Sequence, residues 1–146
     1  MEQGVDDRVR DEEHYLRWIY DPRNIIKDEL KPSFISLRPK ERGVSGQIYE
    51  RLESDVEIYK AAKTYENSTE AYWGYAMALV GDIRSIAMDD DKIDVLMTVS
   101  KVPAHAEIRF AIDGEQIVGN TPNPRLSYYF NEIKVLLCGG LSKRMV

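Results

Sequence analysis

Ala104-His105-Ala106-Glu107-Ile108-Arg109-Phe110-Ala111-Ile112 is the stretch whose reading sets the fold class. His105, Glu107 and Arg109 alternate with Ala106, Ile108, Phe110 and Ile112, the two-residue period of a strand with one face buried and the other wet. Asp113-Gly114 follows as a hairpin signal, because both residue types tolerate the backbone of a tight turn. A different period closes the chain. Asn123-Pro124 joins a cap to a residue preset for a first helical turn, and Leu126, Tyr129, Phe130, Ile133, Leu136 and Leu137 form an apolar stripe ending at Gly139-Gly140. One alternating strand and one amphipathic C-terminal helix predict an α+β domain, with helices packed on a small mixed or antiparallel sheet.

Towards the N-terminus the pattern supports further elements. Ile93 to Val99 reads as a strand after an Asp89-Asp90-Asp91 turn, which is expected to be solvated. Tyr72 to Val80 reads as a buried strand, since the bounding Gly74 and Gly81 leave too few residues for a stable helix. From Gln47 to Tyr65, Ile48, Leu52, Val56, Tyr59 and Ala62 recur at helical spacing and predict one or two helices. Ser33 to Leu37 reads as a strand opening into a loop over Arg38 to Gly46, where Pro39 and two glycines oppose regular structure. Asp21-Pro22 starts a predicted short helix from Pro22 to Glu29. His14 to Tyr20 alternates bulky residues as a strand, with Tyr15, Arg17 and Ile19 on one side. Residues 1–12 are charged around Val5 and Val9 and are read as a mobile arm, leaving a single α+β domain over 13–146.

Bulk properties narrow the function classes. The chain has 146 residues, enough for one core, and carries 25 Asp+Glu against 20 Lys+Arg for a net charge of -5. That balance argues against dedicated nucleic-acid binding, which draws most of its affinity from phosphate contacts. Cys138 is the single cysteine, which excludes an internal disulfide and any multi-cysteine zinc site and fits a reducing compartment. Met1 to Glu13 lacks the apolar core of a signal peptide, and the longest apolar run, Ala76 to Val80, is too short to span a bilayer. The expectation is a cytoplasmic protein with no membrane partner.

Three places carry candidate chemistry. The loop holds Arg38, Lys40 and Arg42 with Gly43, Ser45 and Gly46, a concentration of positive charge and backbone freedom in an acidic chain, suited to an anion. Its spacing is not that of a phosphate loop, and the bland alternative is a surface loop whose cations neutralise acids such as Glu41 and Glu50. His105 lies on the polar side of its strand beside Glu107 and Arg109, where it is either a general acid or base or a strand histidine holding a backbone carbonyl. Arg17 stands among Tyr15, Trp18 and Ile19, paired with a carboxylate or facing a pocket. Two histidines without nearby ligands are weak evidence for a metal, and no cofactor motif is present. Tyr65, Tyr72, Trp73, Tyr75, Tyr128 and Tyr129 suit a partner interface or a core with hydroxyls at its rim.

Leu16-Arg17-Trp18-Ile19, Leu30 to Phe34, Gly43-Val44-Ser45 and Pro103-Ala104-His105-Ala106-Glu107-Ile108 resemble the landmarks of a loose group of small uncharacterised bacterial proteins. That likeness implies a bacterial origin and a compact α+β fold, and brings no activity. The order Arg17, helix Pro22 to Glu29, Leu30-Lys31-Pro32 and Phe34-Ile35-Ser36 is also similar to the opening of ADP-ribosyltransferase-type domains. Glu29 stands where that group usually has glycine, and no Glu-x-Glu lies near the C-terminal strands, so the likeness is one of fold alone. Two functions are therefore expected to compete. One is an accessory module that binds a protein partner or a phosphate-bearing small molecule through Arg38, Lys40, Arg42, Gly43 and Ser45. The other is an enzyme acting on a nucleotide or nucleic acid, with Arg17 and the loop cations on phosphate, His105 as acid or base, and Ser45 or Glu107 in support.

Overall fold

The computed structural model describes residues 8–19, 25–26, 29–30, 35–52, 74–98, 104–120 and 123–143. In chain order the strands are β1 (His14–Ile19), β2 (Ile25–Ile26), β3 (Glu29–Leu30), β4 (Val44–Ile48), β5 (Gly74–Leu79), β6 (Lys92–Met97), β7 (His105–Ile112), β8 (Glu115–Gln116) and β9 (Leu141–Lys143). The helices are α1 (Val80–Arg84) and α2 (Pro124–Gly139). The main sheet runs β6-β7-β4-β1-β5-β9 with β8 added to β7, every pairing antiparallel, while β2 and β3 pair with each other. This is the α+β architecture that the alternating strand and the C-terminal stripe predict. No helix among the described residues is long and apolar enough to cross a membrane.

Register assigns the faces. Val44, Gly46 and Ile48 of β4 align with Ile108 and Ala106 of β7 and with Tyr15 of β1, and Tyr15 aligns with Ala78 of β5. Side chains on that face join the core with Ile93, Val95 and Phe110, and α2 adds Leu126, Tyr129, Ile133 and Leu137. Phe110 meets Phe130 edge to face, with ring centroids 5.3 Å apart. Helix α2 starts where Asn123 Oδ1 accepts from the Arg125 N–H at 2.9 Å. It ends at glycine for a steric reason, since a Cβ on Gly140 would stand 2.1 Å from the Met77 carbonyl oxygen. That close approach lets the chain turn directly into β9 against β5.

A buried carboxylate anchors the other end of α2. Asp91, with a side chain 1% exposed, accepts from Tyr129 Oη at 2.5 Å, from Arg125 Nη1 at 3.0 Å and from the Asp113 N–H at 3.2 Å. The Tyr129 hydroxyl, aided by the Asp113 amide and Arg125, holds its carboxyl below the usual range against the opposing effect of burial. The helix is thereby tied to the turn before β6 and to the β7–β8 hairpin. Asp89 and Asp90 are exposed, so the solvated turn expected over Asp89 to Asp91 holds for its first two residues and not for the third.

At the sheet edge β6 is closed by side chains. Asp94 Oδ1 accepts from the Val95 N–H at 2.8 Å, and Arg84 Nη2 donates to the Val95 carbonyl at 3.3 Å. Arg84 also donates to Asp94 at 2.8 Å and Asp11 at 2.7 Å. A strand edge occupied in this way is a poor template for another strand.

Several expectations need correction. Residues 8–12 are not a mobile arm: Val9 is 1% exposed within the core, and Asp11 and Glu13 carbonyls accept from the Gly81 and Val80 N–H groups at 2.9 Å each. The charges are what fix this segment, since Arg51 donates to Glu13 at 2.8 and 2.9 Å and to the Arg8 carbonyl at 3.0 Å. The Arg51 hydrogen bond holds the Glu13 carboxyl below its usual range despite its burial. Over Pro22 to Glu29, residues 25–26 and 29–30 form a small antiparallel ladder in place of the predicted helix, matching the strand preference of the consecutive Ile25 and Ile26. Residues 35–37 lie outside the sheet, with Ile35 anchored in the core. Gln47 and Ile48 belong to β4, followed by a 3-10 turn over Tyr49–Arg51, so the predicted helix from Gln47 does not begin there. Its remainder, 53–65, lies outside the described residues, as do residues 1–7, 31–34 and 72–73. Helix α1 and strand β9 carry too few residues for a period to announce them.

Gly46 is the position on which the sheet centre turns. Strand β5 follows β1 along all six residues, yet β1 pairs with β4 only at Tyr15↔Ile48 and Leu16↔Gln47 among the described residues. Past that point the Tyr15 side chain takes over, donating from Oη to the Val44 and Ser45 carbonyls at 3.0 and 2.9 Å, and Arg17 Nη1 also donates to the Ser45 carbonyl. Burial pushes the Tyr15 phenol up to about 12, so it remains a donor at neutral pH. The ring lies across Gly46: a Cβ there would be 2.5 Å from two ring carbons and 2.6 Å from the Leu16 carbonyl oxygen. Gly46→Ala is expected to cost about 1–3 kcal/mol or more through overpacking at the sheet centre. Tyr15→Phe, which keeps the ring and loses the donor, should cost about 1–2 kcal/mol. Urea unfolding at neutral pH checks both, and an unchanged Gly46→Ala midpoint would contradict this packing.

Candidate functional site

The loop read from sequence as Arg38 to Gly46 divides in two. Val44 to Gly46 are part of β4, and the remaining residues form a tight turn at its entrance. Glu41 N–H donates to the Arg38 carbonyl at 3.0 Å, Pro39 takes the second turn position, and Lys40 the third with φ 70°. This is the pattern of a type II turn, whose third position favours glycine. Placing lysine there costs about 1–2 kcal/mol relative to relaxed backbone.

Two further hydrogen bonds fix the turn. Glu41 Oε1 accepts from the Arg38 N–H at 2.6 Å, and the Gly119 N–H donates to the Glu41 carbonyl at 2.8 Å. Gly119 packs so closely that a Cβ would stand 1.8 Å from the Arg38 carbonyl oxygen. Arg38, Lys40 and Arg42 are exposed, and none forms an ion pair with a described residue. The acids expected to neutralise them are engaged otherwise. Glu41 binds turn backbone, and Glu50 binds His14, accepting from its N–H at 2.7 Å and meeting Nδ1 at 2.5 Å.

Three predicted residues share the sheet face opposite the helices. Ser45 is the cross-strand partner of Glu107, and Gln47 that of His105. Ser45 is exposed, while Gln47 is buried. Glu107 lies over Gly43, where a Cβ would be 2.8 Å from its own Cβ, and accepts from Arg109 at 3.0 and 3.1 Å. His105 Nδ1 shares a short hydrogen bond with Thr98 Oγ1, and the Thr98 N–H donates to the His105 carbonyl at 3.0 Å. Burial holds the His105 imidazole below its ordinary value, with the Glu107 carboxylate opposing the shift.

The proposed enzyme arrangement requires Arg17 beside His105. In the register, Leu16, Gln47 and His105 align on one face, and Arg17 alternates with Leu16 onto the other, beside Tyr15 and Ala76. The basic turn lies towards the other end of β4 from His105, since it precedes Val44 whereas the partner of His105 is Gln47. The sequence-derived candidates therefore do not share one pocket: Arg38, Lys40 and Arg42 lie on the turn, Gly43 joins the turn to the face with Ser45, His105 and Glu107 by sitting under Glu107, and Arg17 reaches the Ser45 carbonyl from the other face.

Thr98 and Gly119 escaped the sequence reading, and Glu41, expected there to neutralise the loop cations, closes the turn instead. Glu41 carried a usable signal, its i+3 spacing from Arg38 across a proline. Thr98 and Gly119 act only through tertiary neighbours. Among the described residues no group of three or more His, Cys, Asp or Glu side chains is placed to hold a metal ion.

The His105 environment makes a prediction with a defined sign. A histidine whose folded pKa is depressed contributes stability present above its unfolded value near 6.5, and that contribution is lost as pH falls through the folded value. In an NMR titration from about pH 4 to 8, His105 should protonate below an ordinary histidine, and Glu107→Gln should lower it further by removing the opposing charge. A wild-type titration at or above the ordinary value would contradict the geometry. Comparison of the chain with protein-family models, with curated proteins and with solved structures returns no match, so the site is read from its own geometry.

Proposed function

We propose that this chain is a small accessory module that binds an anionic partner, a protein or a phosphate-bearing molecule, through the Arg38–Gly43 turn. The observation that carries this reading is the set of three exposed cations on one hydrogen-bonded turn, none in an ion pair with a described residue. A partner meeting this turn has little backbone to order, and preorganisation of that kind lowers the cost of association. Lys40 adds to the case, since a cation occupies the turn position where glycine would be more stable. The separation of Arg17 from His105 favours the module over an enzyme that needs both in one pocket.

The test is the combined variant Arg38→Ala, Lys40→Gly and Arg42→Ala, in which glycine at 40 keeps the turn. Its urea midpoint should equal or exceed that of wild type, because glycine at position 40 relieves the left-handed backbone that costs lysine about 1–2 kcal/mol. Affinity capture followed by quantitative mass spectrometry should show partners retained by wild type and depleted at least about tenfold in the variant, as loss of three charges implies. An unchanged partner profile would remove the turn from the binding surface.

A further inference from the structure

Resting on that reading, we infer that the turn recognises carboxylates spaced along an acidic protein segment, and not a single phosphate group. A phosphate cradle needs successive backbone N–H groups converging on one point. Here the donors are spent: Pro39 has none, Arg38 N–H is given to Glu41 Oε1, and Glu41 N–H closes the turn on the Arg38 carbonyl. Only the non-adjacent amides of Lys40 and Arg42 remain between 38 and 42, and the turn already contains its own anion. What is left for a ligand is side-chain charge at alternate positions.

The surroundings restrict that ligand further. Glu41 adds a carboxylate to the same turn, held on the Arg38 N–H, so a compact dianion seated there meets a like charge. At the same end of the sheet stand Asp89 and Asp90, both exposed, while the exposed Asp113 carboxylate is paired with Arg125. A continuous polyanion crossing the turn faces those acids too, in a chain of net charge -5. Single carboxylates separated along an extended peptide can each meet one cation and leave the acids between them in solvent. Arg38 and Arg42 suit this task, because a guanidinium grips one carboxylate through two parallel N–H groups.

The experiment uses fluorescence anisotropy with three probes on the full chain: an Asp/Glu-rich peptide interspersed with Gly and Ser, a single-stranded DNA oligonucleotide of similar charge, and inorganic pyrophosphate as competitor. The peptide should bind wild type most tightly, lose affinity as salt is raised, and resist displacement by pyrophosphate. Glu41→Gln keeps an oxygen on the Arg38 N–H and removes the central charge, so peptide affinity should rise about twofold to fivefold. Displacement by pyrophosphate, tighter binding of the DNA, unchanged affinity in Glu41→Gln, or no peptide binding would overturn the inference. Should Arg38→Ala, Lys40→Gly, Arg42→Ala bind every probe as wild type does, the turn itself is excluded and the broader proposal falls with it. Turn-dependent binding that prefers DNA or pyrophosphate overturns only the choice of carboxylates.

Discussion

The Tyr15 ring lying across Gly46 is the contact on which this sheet depends. Where β1 and β4 stop pairing, the phenol donates to two β4 carbonyls and substitutes for the missing ladder. The bare Cα of Gly46 gives the ring its place. With β4 held at that register, Val44 meets Ile108 and Gln47 meets His105, and every candidate residue receives its face and its end of the sheet from those pairings. A shift of β4 by one residue would move Ser45 and Gln47 into the core and expose Val44 and Ile48, since strand neighbours point to opposite faces.

The same register explains why residues that look like one site in sequence do not share one pocket in space. Ser45, Glu107 and His105 converge because antiparallel pairing brings the polar positions of β4 and β7 side by side. Arg17 departs from them because β1 joins β4 through Leu16↔Gln47, which leaves Tyr15 and Arg17 on the helix-covered face. The turn stands apart because it precedes the strand. Its rigidity comes from Glu41 below and Gly119 beside it, so a basic surface is maintained without help from the rest of the polar face.

What the sequence conveyed well were the elements with a sustained period. The alternation of β7, the apolar stripe of α2 and the Asn123-Pro124 cap each involve several residues repeating one demand, and each is present. Gly46 misled for a physical reason: glycine ordinarily interrupts a strand, and here it is required inside one because another strand's aromatic ring occupies the space of its side chain. The charged N-terminal segment misled in the same way. Val9 has no apolar neighbour in sequence, but Arg51 and Arg84, distant along the chain, pair with Glu13 and Asp11 and fold the segment onto the core. Asp91 is a third case, a carboxylate indistinguishable in sequence from Asp89 and Asp90 until Tyr129 and Arg125 arrive from α2. Of the candidate site, the cations of the turn were legible as exposed charge, whereas the acid that closes the turn and the separation of Arg17 from His105 depend on tertiary register.

The central claim is that the basic turn acts without His105 or Arg17. Amide chemical-shift mapping during titration with an acidic peptide addresses it residue by residue. The account predicts perturbations centred on Arg38–Gly43 and the adjoining Ile117–Asn120 segment, with Thr98, His105 and Arg17 unmoved. Perturbations centred on His105 or Arg17 would contradict it.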